Sequence, residues 1–216
     1  MNKAPHKIQK MFDNIAKNYD KLNDIISFGM QKRIKQKCIK LLNINTKTKL
    51  LDLCTGTGDL ISMANVKDSI GVDFSEKMLE IARVKHPNYN FINTNCSVLP
   101  FDDNSFDIIT MGFGLRNIEN REQVLKEIYR VLKPNGEFLQ LDFGNKNFIG
   151  KIFEILIPNL VKFTSADKNA YEYLVQSKRE FPEPKELIKE IEQSGFKLKI
   201  CKFFTFKAIS CQIFTK

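Results

Sequence analysis

The feature that most constrains this chain is an alternation of two hydrophobic periods. Residues 49–54, 69–73, 89–93, 106–111 and 137–143 are short apolar runs that read as buried strands. Helical stretches at 59–64, 75–85 and 122–132 lie between them. Ser75 supplies a cap with Glu76 in the first turn, and Lys133-Pro-Asn-Gly136 closes the last helix. Strands that alternate with helices build βαβ units, so the expected fold is α/β, with a mostly parallel sheet and helices on both faces. Two further strands, 196–204 and 208–214, are separated by too little chain for a helical crossover and must pair antiparallel. The sheet then has seven strands.

The 216 residues suffice for one domain with a full core. No internal repeat or Pro/Gly/Ser-rich linker divides them, so residues 1–216 are expected to form a single domain. Its first part, 1–48, reads as a helical extension: Ile8, Met11, Phe12, Ile15 and Tyr19 make one apolar face, and Ile34, Cys38, Leu41 and Leu42 make another. Residues 1–49 carry twelve Lys/Arg against Asp13, Asp20 and Asp24, which accounts for the whole net charge of +9. Such an end suits nucleic acid, anionic lipid or an acidic ligand, or is a solvated face. Five cysteines without a CxxC pair and only two histidines point to a reducing cytoplasm and away from metal chemistry. No run of 18 apolar residues occurs.

The chemistry-bearing residues fall at strand ends. The first strand carries Asp52 and leads into Gly56-Thr57-Gly58 and a helix, a turn that lets backbone approach a ligand closely. The third glycine of a dinucleotide fingerprint would stand where Ile61 does, which lowers the case for NAD or FAD. Asp73 closes the second strand, where a carboxylate either accepts from ribose hydroxyls or caps the helix at Ser75. Asn95-Cys96 follows the third strand. Gly112-Phe-Gly-Leu-Arg116-Asn117 follows the fourth, where open α/β sheets bind ligands. Arg116 there is either functional or a loop anchor.

These residues together resemble a known class. The order Asp-x-x-x-Gly-x-Gly, strand-end Asp, Leu99-Pro-Phe101 and Val131-Leu-Lys-Pro-x-Gly136 is similar to that of the Rossmann-like class I S-adenosylmethionine-dependent methyltransferases. Three segments resemble the ubiquinone/menaquinone biosynthesis C-methyltransferase family in particular. They are Met11-Phe-Asp-Asn-Ile-Ala-Lys-Asn-Tyr-Asp20 with Ser27-Phe-Gly29, Gly112-Phe-Gly-Leu-Arg-Asn117, and Tyr171-Glu-Tyr-Leu-Val-Gln-Ser177 with Phe181-Pro182. The family usually has Ala where Cys96 stands.

The resemblance implies S-adenosyl-L-methionine as cofactor, with Asp52, Gly56, Thr57, Gly58, Asp73, Asn95, Cys96 and Gly112 at its site. It implies a polyprenylated quinol substrate, either demethylmenaquinol or a methoxy-polyprenyl-benzoquinol. A ring carbon beside a phenol becomes nucleophilic as the hydroxyl ionises, and a free phenol has a pKa of about 10. Arg116 and Asn117 are the catalytic candidates, Arg116 as electrostatic stabiliser because a guanidinium keeps its charge. Tyr19, Tyr171 and Tyr173 are candidates to orient the ring. The apolar segment 148–160, within a substrate-covering insertion at 144–180, is expected to act as a lid, a homodimer surface or an interfacial element at an anionic membrane, with a plain core helix as the alternative. A nucleic-acid methyltransferase is the competing reading. The Asn/Asp-Pro-Pro-aromatic motif of amino-group methyltransferases is missing after the fourth strand, so nucleic acid is not the expected partner.

Overall fold

The computed structural model describes residues 3–146 and 168–216, with backbone alone for 168–171. The apolar segment singled out at 148–160 therefore lies outside the described residues.

Three helices precede the sheet: α1 (Pro5–Ile15), α2 (Tyr19–Ser27) and α3 (Met30–Ile39). The sequence pattern suggests one helix over 8–19, but a 3-10 turn at Ala16–Asn18 interrupts it. That turn redirects the chain so that Asp20 meets the glycine loop, accepting from Thr57 Oγ1 at 2.6 Å. Phe28 and Gly29, both at positive φ, end α2 and reverse the chain into α3.

The sheet follows as β1 (Lys49–Leu53), α4 (Asp59–Ala64), β2 (Asp68–Asp73), α5 (Glu76–Lys85), β3 (Asn90–Asn93), β4 (Phe106–Gly112), α6 (Arg121–Val131) and β5 (Leu132–Phe143). Helices α7 (Lys168–Glu180) and α8 (Pro184–Gln193) precede β6 (Lys197–Phe204) and β7 (Ile209–Thr215). The strand order is β3-β2-β1-β4-β5-β7-β6. Strands β1 to β5 pair in parallel, and β7 runs antiparallel to both β5 and β6. The α/β sheet of seven strands is as expected. Its details differ at 133–136, where Lys133-Pro-Asn-Gly136 belongs to β5 rather than preceding it. Pairing shifts from Phe106 with Leu132 to Ile108 with Glu137, so these four residues bulge out, with Asn135 at φ 62°.

The two-residue period sorts the core onto two faces. Leu51, Ile109, Phe138 and Phe214 pack with Leu125 and Ile128 of α6 and with Leu187 and Ile191 of α8. Leu50, Ile108, Leu139 and Ile213 pack with Cys38 of α3, Ile61 of α4 and Leu79 of α5. Asp52 stands fully buried on this second face. It accepts from Thr110 Oγ1 of β4 and Thr55 Oγ1 of the glycine loop, both at 2.6 Å. Burial pushes its carboxyl up to about 6, against those two hydrogen bonds.

The sign of the resulting linkage is definite. A carboxyl whose folded pKa exceeds its unfolded value favours the fold while protonated, and that contribution is lost as pH rises through 6. Asp52→Asn cannot titrate, so chemical denaturation should show its stability improving relative to wild type between pH 5 and pH 8. The expected change is on the order of 1–3 kcal/mol, and a pH-independent difference would contradict it.

Candidate active site

Strand order reverses between β1 and β4, and a crevice opens there at the carboxyl ends of the strands. It holds a cavity of about 270 Å³. Its floor comes from the residues after β1, β2, β3 and β4, and Ile8, Phe12 and Tyr19 of the N-terminal helices border it. Its lining combines polar Asp73, Thr94, Asn95, Asn117 and Gln123 with apolar Phe74, Met78 and Val124.

Asp73 organises this cavity. One carboxylate oxygen accepts from Gly56 N and the other from Ser75 N, each at 2.9 Å. Thus it both caps the chain before α5 and fastens the glycine loop, and it also faces the cavity. Ser75 is the helix cap itself, accepting from Met78 N and donating to Asp13 of α1. Desolvation raises the Asp73 carboxyl to about 6, opposed by the backbone amides that bind it. Gly56, at φ 57°, has only the edge of Tyr19 within 4 Å of where a Cβ would stand, so this backbone is open to a ligand. Gly58, at φ 84°, is closed by His86 and Phe91 and serves the turn instead.

The other expected residues divide in two. Asn95, Cys96, Gly112 and Asn117 border the cavity. Asn95 is held by its own loop, accepting from Ser97 N and Oγ. Cys96 Sγ lies 3.8 Å from Cys54 Sγ. Asp52, Thr57, Gly58 and Arg116 are not among its lining. Asp52 and Thr57 hold the loop from behind, Thr57 through Asp20, whose carboxylate also binds Lys85 Nζ at 2.8 Å.

Arg116 faces a second, apolar cavity of about 120 Å³ that shares Tyr19 and Phe113 with the first. Its Nη1 meets Asp142 Oδ1 at 3.0 Å, and its guanidinium lies 5.1 Å from the Phe143 ring centroid and 5.7 Å from that of Phe113. Its Nε is buried without a hydrogen-bond partner. Next to it, Tyr173 of α7 donates to Asn117 Oδ1 at 2.9 Å, and burial pushes the Tyr173 hydroxyl up to about 12. The Tyr171 side chain lies outside the described residues. The sequence reading missed Asp142, whose only signal is a carboxylate ending the apolar run Leu139-Gln-Leu-Asp-Phe143. It also missed Ile8 and Phe12 as cavity-bordering residues, because their spacing predicts only an apolar helix face.

A mostly parallel sheet of order 3-2-1-4-5-7-6 with an antiparallel β7, and with a glycine loop and a strand-end carboxylate at its switch point, defines the class I methyltransferase fold. Solved structures agree: an S-adenosylmethionine-dependent methyltransferase of Thermotoga maritima superposes with a TM-score of 0.73 at 22% identity, covering 96% of this chain and 99% of that one. The model of the ubiE/COQ5 methyltransferase family matches residues 1–216, and the chain belongs to that family. Relatives named demethylmenaquinone methyltransferase are 37% identical in Listeria welshimeri, with 88% of this chain and 87% of that protein covered, and 38% identical in Bacillus licheniformis, with 88% of each covered. The relative of the same name in Staphylococcus aureus is 37% identical over 90% of this chain and 87% of its own length. The methyl donor is therefore S-adenosylmethionine.

The cavity fits that donor: the Asp73 carboxylate can accept from a vicinal diol, and the open backbone at Gly56 admits close approach. Protonation of Asp73 removes an acceptor, so donor affinity should fall as pH drops through about 6. Titration calorimetry should also show Asp73→Asn weakening binding by about 1.5–3 kcal/mol and flattening this pH dependence. Unchanged affinity would remove Asp73 from the donor site.

Proposed function

We propose that this protein methylates a ring carbon of demethylmenaquinol to give menaquinol, with Arg116 and Asn117 at the reacting face. The curated relatives' name supports the substrate. The observation that carries the reading is the pair of abutting cavities that meet at Tyr19 and Phe113: a larger one bordered by Asp73, Asn95 and Asn117 for the donor, and a more apolar one for a prenylated ring.

When bound, S-adenosylmethionine supplies an electrophilic methyl on a sulfonium. The protein's part is to make the ring carbon nucleophilic and aim it. The Asp142 carboxylate, fully buried, holds Arg116 from one side, and the Phe113 and Phe143 rings lie beside its guanidinium. Arg116 borders the apolar cavity, so its fixed positive charge attracts a phenolate oxygen there. That attraction strengthens as the phenol loses its proton, so Arg116 stabilises the developing anion rather than removing the proton itself. Asn117 faces the donor cavity while Tyr173 pins its amide, which fixes the wall between the two ligands. The apolar lining excludes water from a step in which opposite charges cancel.

The same cavity suits a lipid-borne quinol better than a nucleotide base, since Ile26, Met30, Ile34, Leu174 and Val175 line it. No helix among the described residues is long enough and apolar enough to cross a membrane. Peripheral contact with a bilayer is therefore part of this proposal.

The test is methyl transfer from labelled donor to a prenylated naphthoquinol that lacks the ring methyl. Wild type should turn over, while Arg116→Ala should lose on the order of 100-fold or more in kcat with donor affinity retained. Turnover within threefold of wild type would reduce Arg116 to a loop anchor. Tyr173→Phe, which frees the Asn117 amide, should lose a smaller factor, on the order of tenfold.

A further inference from the structure

Cys54 and Cys96 both border the donor cavity, and their Sγ atoms lie 3.8 Å apart although 42 residues separate them in sequence. Methyl transfer needs neither thiol. Cys54 follows β1 at φ 51°, in the left-handed region where a residue with a Cβ is strained. Its loop is held on two sides. Thr55 N donates to Val72 O at 3.0 Å, and a Cβ on Gly114 would come within 2.7 Å of Cys54 Cβ. Cys96 follows β3 and is buried. Its loop is attached elsewhere, through Gln123 Nε2 of α6, which donates to Ser97 O at 3.1 Å.

The sheet order turns this contact into a bridge. Strand β2 lies between β1 and β3, and Asp73 ends it. A bond between the residues that follow β1 and β3 therefore spans the strand that ends in Asp73. The two loops it joins also carry Gly56, which Asp73 fastens, and Asn95. Disulfide sulfurs stand about 2.0 Å apart, so the 3.8 Å gap has to close by about 1.8 Å. Cys54 is the more firmly held partner. Closure thus draws the loop after β3 toward β1 and takes Asn95 out of its place in the cavity lining. The remaining thiols are placed differently. Cys38 and Cys211 pair with each other inside the core, and Cys201 is exposed on the edge strand β6.

We infer that Cys54 and Cys96 form a reversible disulfide on exposure to a hydroperoxide, and that this bond closes the donor site. One thiolate attacks the peroxide: an S–O bond forms, the O–O bond breaks, and the departing alkoxide takes up the proton that thiol released. The second sulfur attacks the sulfenic sulfur: an S–S bond forms, the S–O bond breaks, and the hydroxide leaves as water with the second thiol's proton. Two electrons pass from the two thiols to one hydroperoxide, which ends as an alcohol and water. A dithiol reverses the bond by exchange. The hydrogen bond to Cys96 and burial push the Cys54 thiol up, so little thiolate is present at neutral pH and the pair yields to sustained rather than passing oxidant. Coupling runs both ways, since a bond that weakens donor binding is disfavoured by bound donor. The device acts on the donor site and holds whichever quinol accepts the methyl.

The test takes the whole chain, fully reduced, and treats it with tert-butyl hydroperoxide. Peptide mapping by mass spectrometry should find a Cys54–Cys96 link short of two hydrogens, and dithiothreitol should remove it. Titration calorimetry should show the linked form binding S-adenosylmethionine about tenfold or more weakly, with affinity restored by dithiothreitol. Saturating donor should slow formation of the link by about tenfold or more. Cys96→Ala, which installs the residue the family usually has there, should show the same donor affinity before and after peroxide, whatever that affinity is. Cys54→Ser supplies the same control should Cys96→Ala fail to fold. No link, a link between Cys38 and Cys211 alone, or linked protein that binds donor within about threefold of the reduced form would overturn the inference and leave two packed thiols. An equal peroxide-dependent loss in Cys96→Ala would overturn it as well, because oxidation elsewhere would then be responsible.

Discussion

A carboxylate buried at the end of a parallel strand must be neutralised or matched with donors, and this protein places three of them where its sheet opens. Asp52 ties β1 to β4 and to the glycine loop through two threonine hydroxyls. Asp73 ties the glycine loop to the start of α5 through two backbone amides. Asp142 ties β5 to the loop after β4 through Arg116. Desolvation raises the pKa of all three, so each fold-stabilising contact is made by a group that burial disfavours. The loops they hold are the loops that form the two cavities. Preorganisation of the site thus depends on hydrogen bonds to buried charge, in which leaving a group unmatched costs more than the net worth of the bond.

The N-terminal helices are joined to the same framework. Gln9 Nε2 donates to Phe74 O at 2.8 Å, Asp13 accepts from the Ser75 cap, and Asp20 accepts from Thr57 and Lys85. Each contact lands on a segment that also meets Asp73 or flanks the glycine loop. Ile8, Phe12 and Tyr19 are carried into the wall of the donor cavity as a result. Tyr19, whose hydroxyl burial pushes up, is common to both cavities, so one aromatic ring from the extension borders each of them.

Much of this was readable from local pattern. Strand and helix periods along 49–143 depend on side chains near in sequence, and Ser75 and the αL glycines at 56 and 58 report local backbone geometry. The break at Ala16–Asn18 was not readable, because the apolar spacing of Ile8, Phe12, Ile15 and Tyr19 suits one continuous helix. The bulge at 133–136 was hidden for a related reason: whether Pro and Gly end a helix or interrupt a strand depends on the neighbouring strand. Helix α8 went unread, although Pro184 at its start and the Glu186 side chain accepting from Glu183 N are local signals.

The amino-acid order by itself determined the α/β class, the antiparallel ending, the glycine loop with its strand-end Asp73, and the presence of Arg116-Asn117 at the mouth of β4. These rest on periodicity, steric allowance and motif, all properties of short stretches of chain. Only the tertiary structure decided which of those residues meet. It set Thr57 against Asp20 rather than into the cavity, paired Arg116 with Asp142 across 26 residues, and brought Tyr173 to Asn117 across 56. Long-range pairing depends on the path of the sheet through space, and no spacing along the chain encodes which strand end comes to lie beside which.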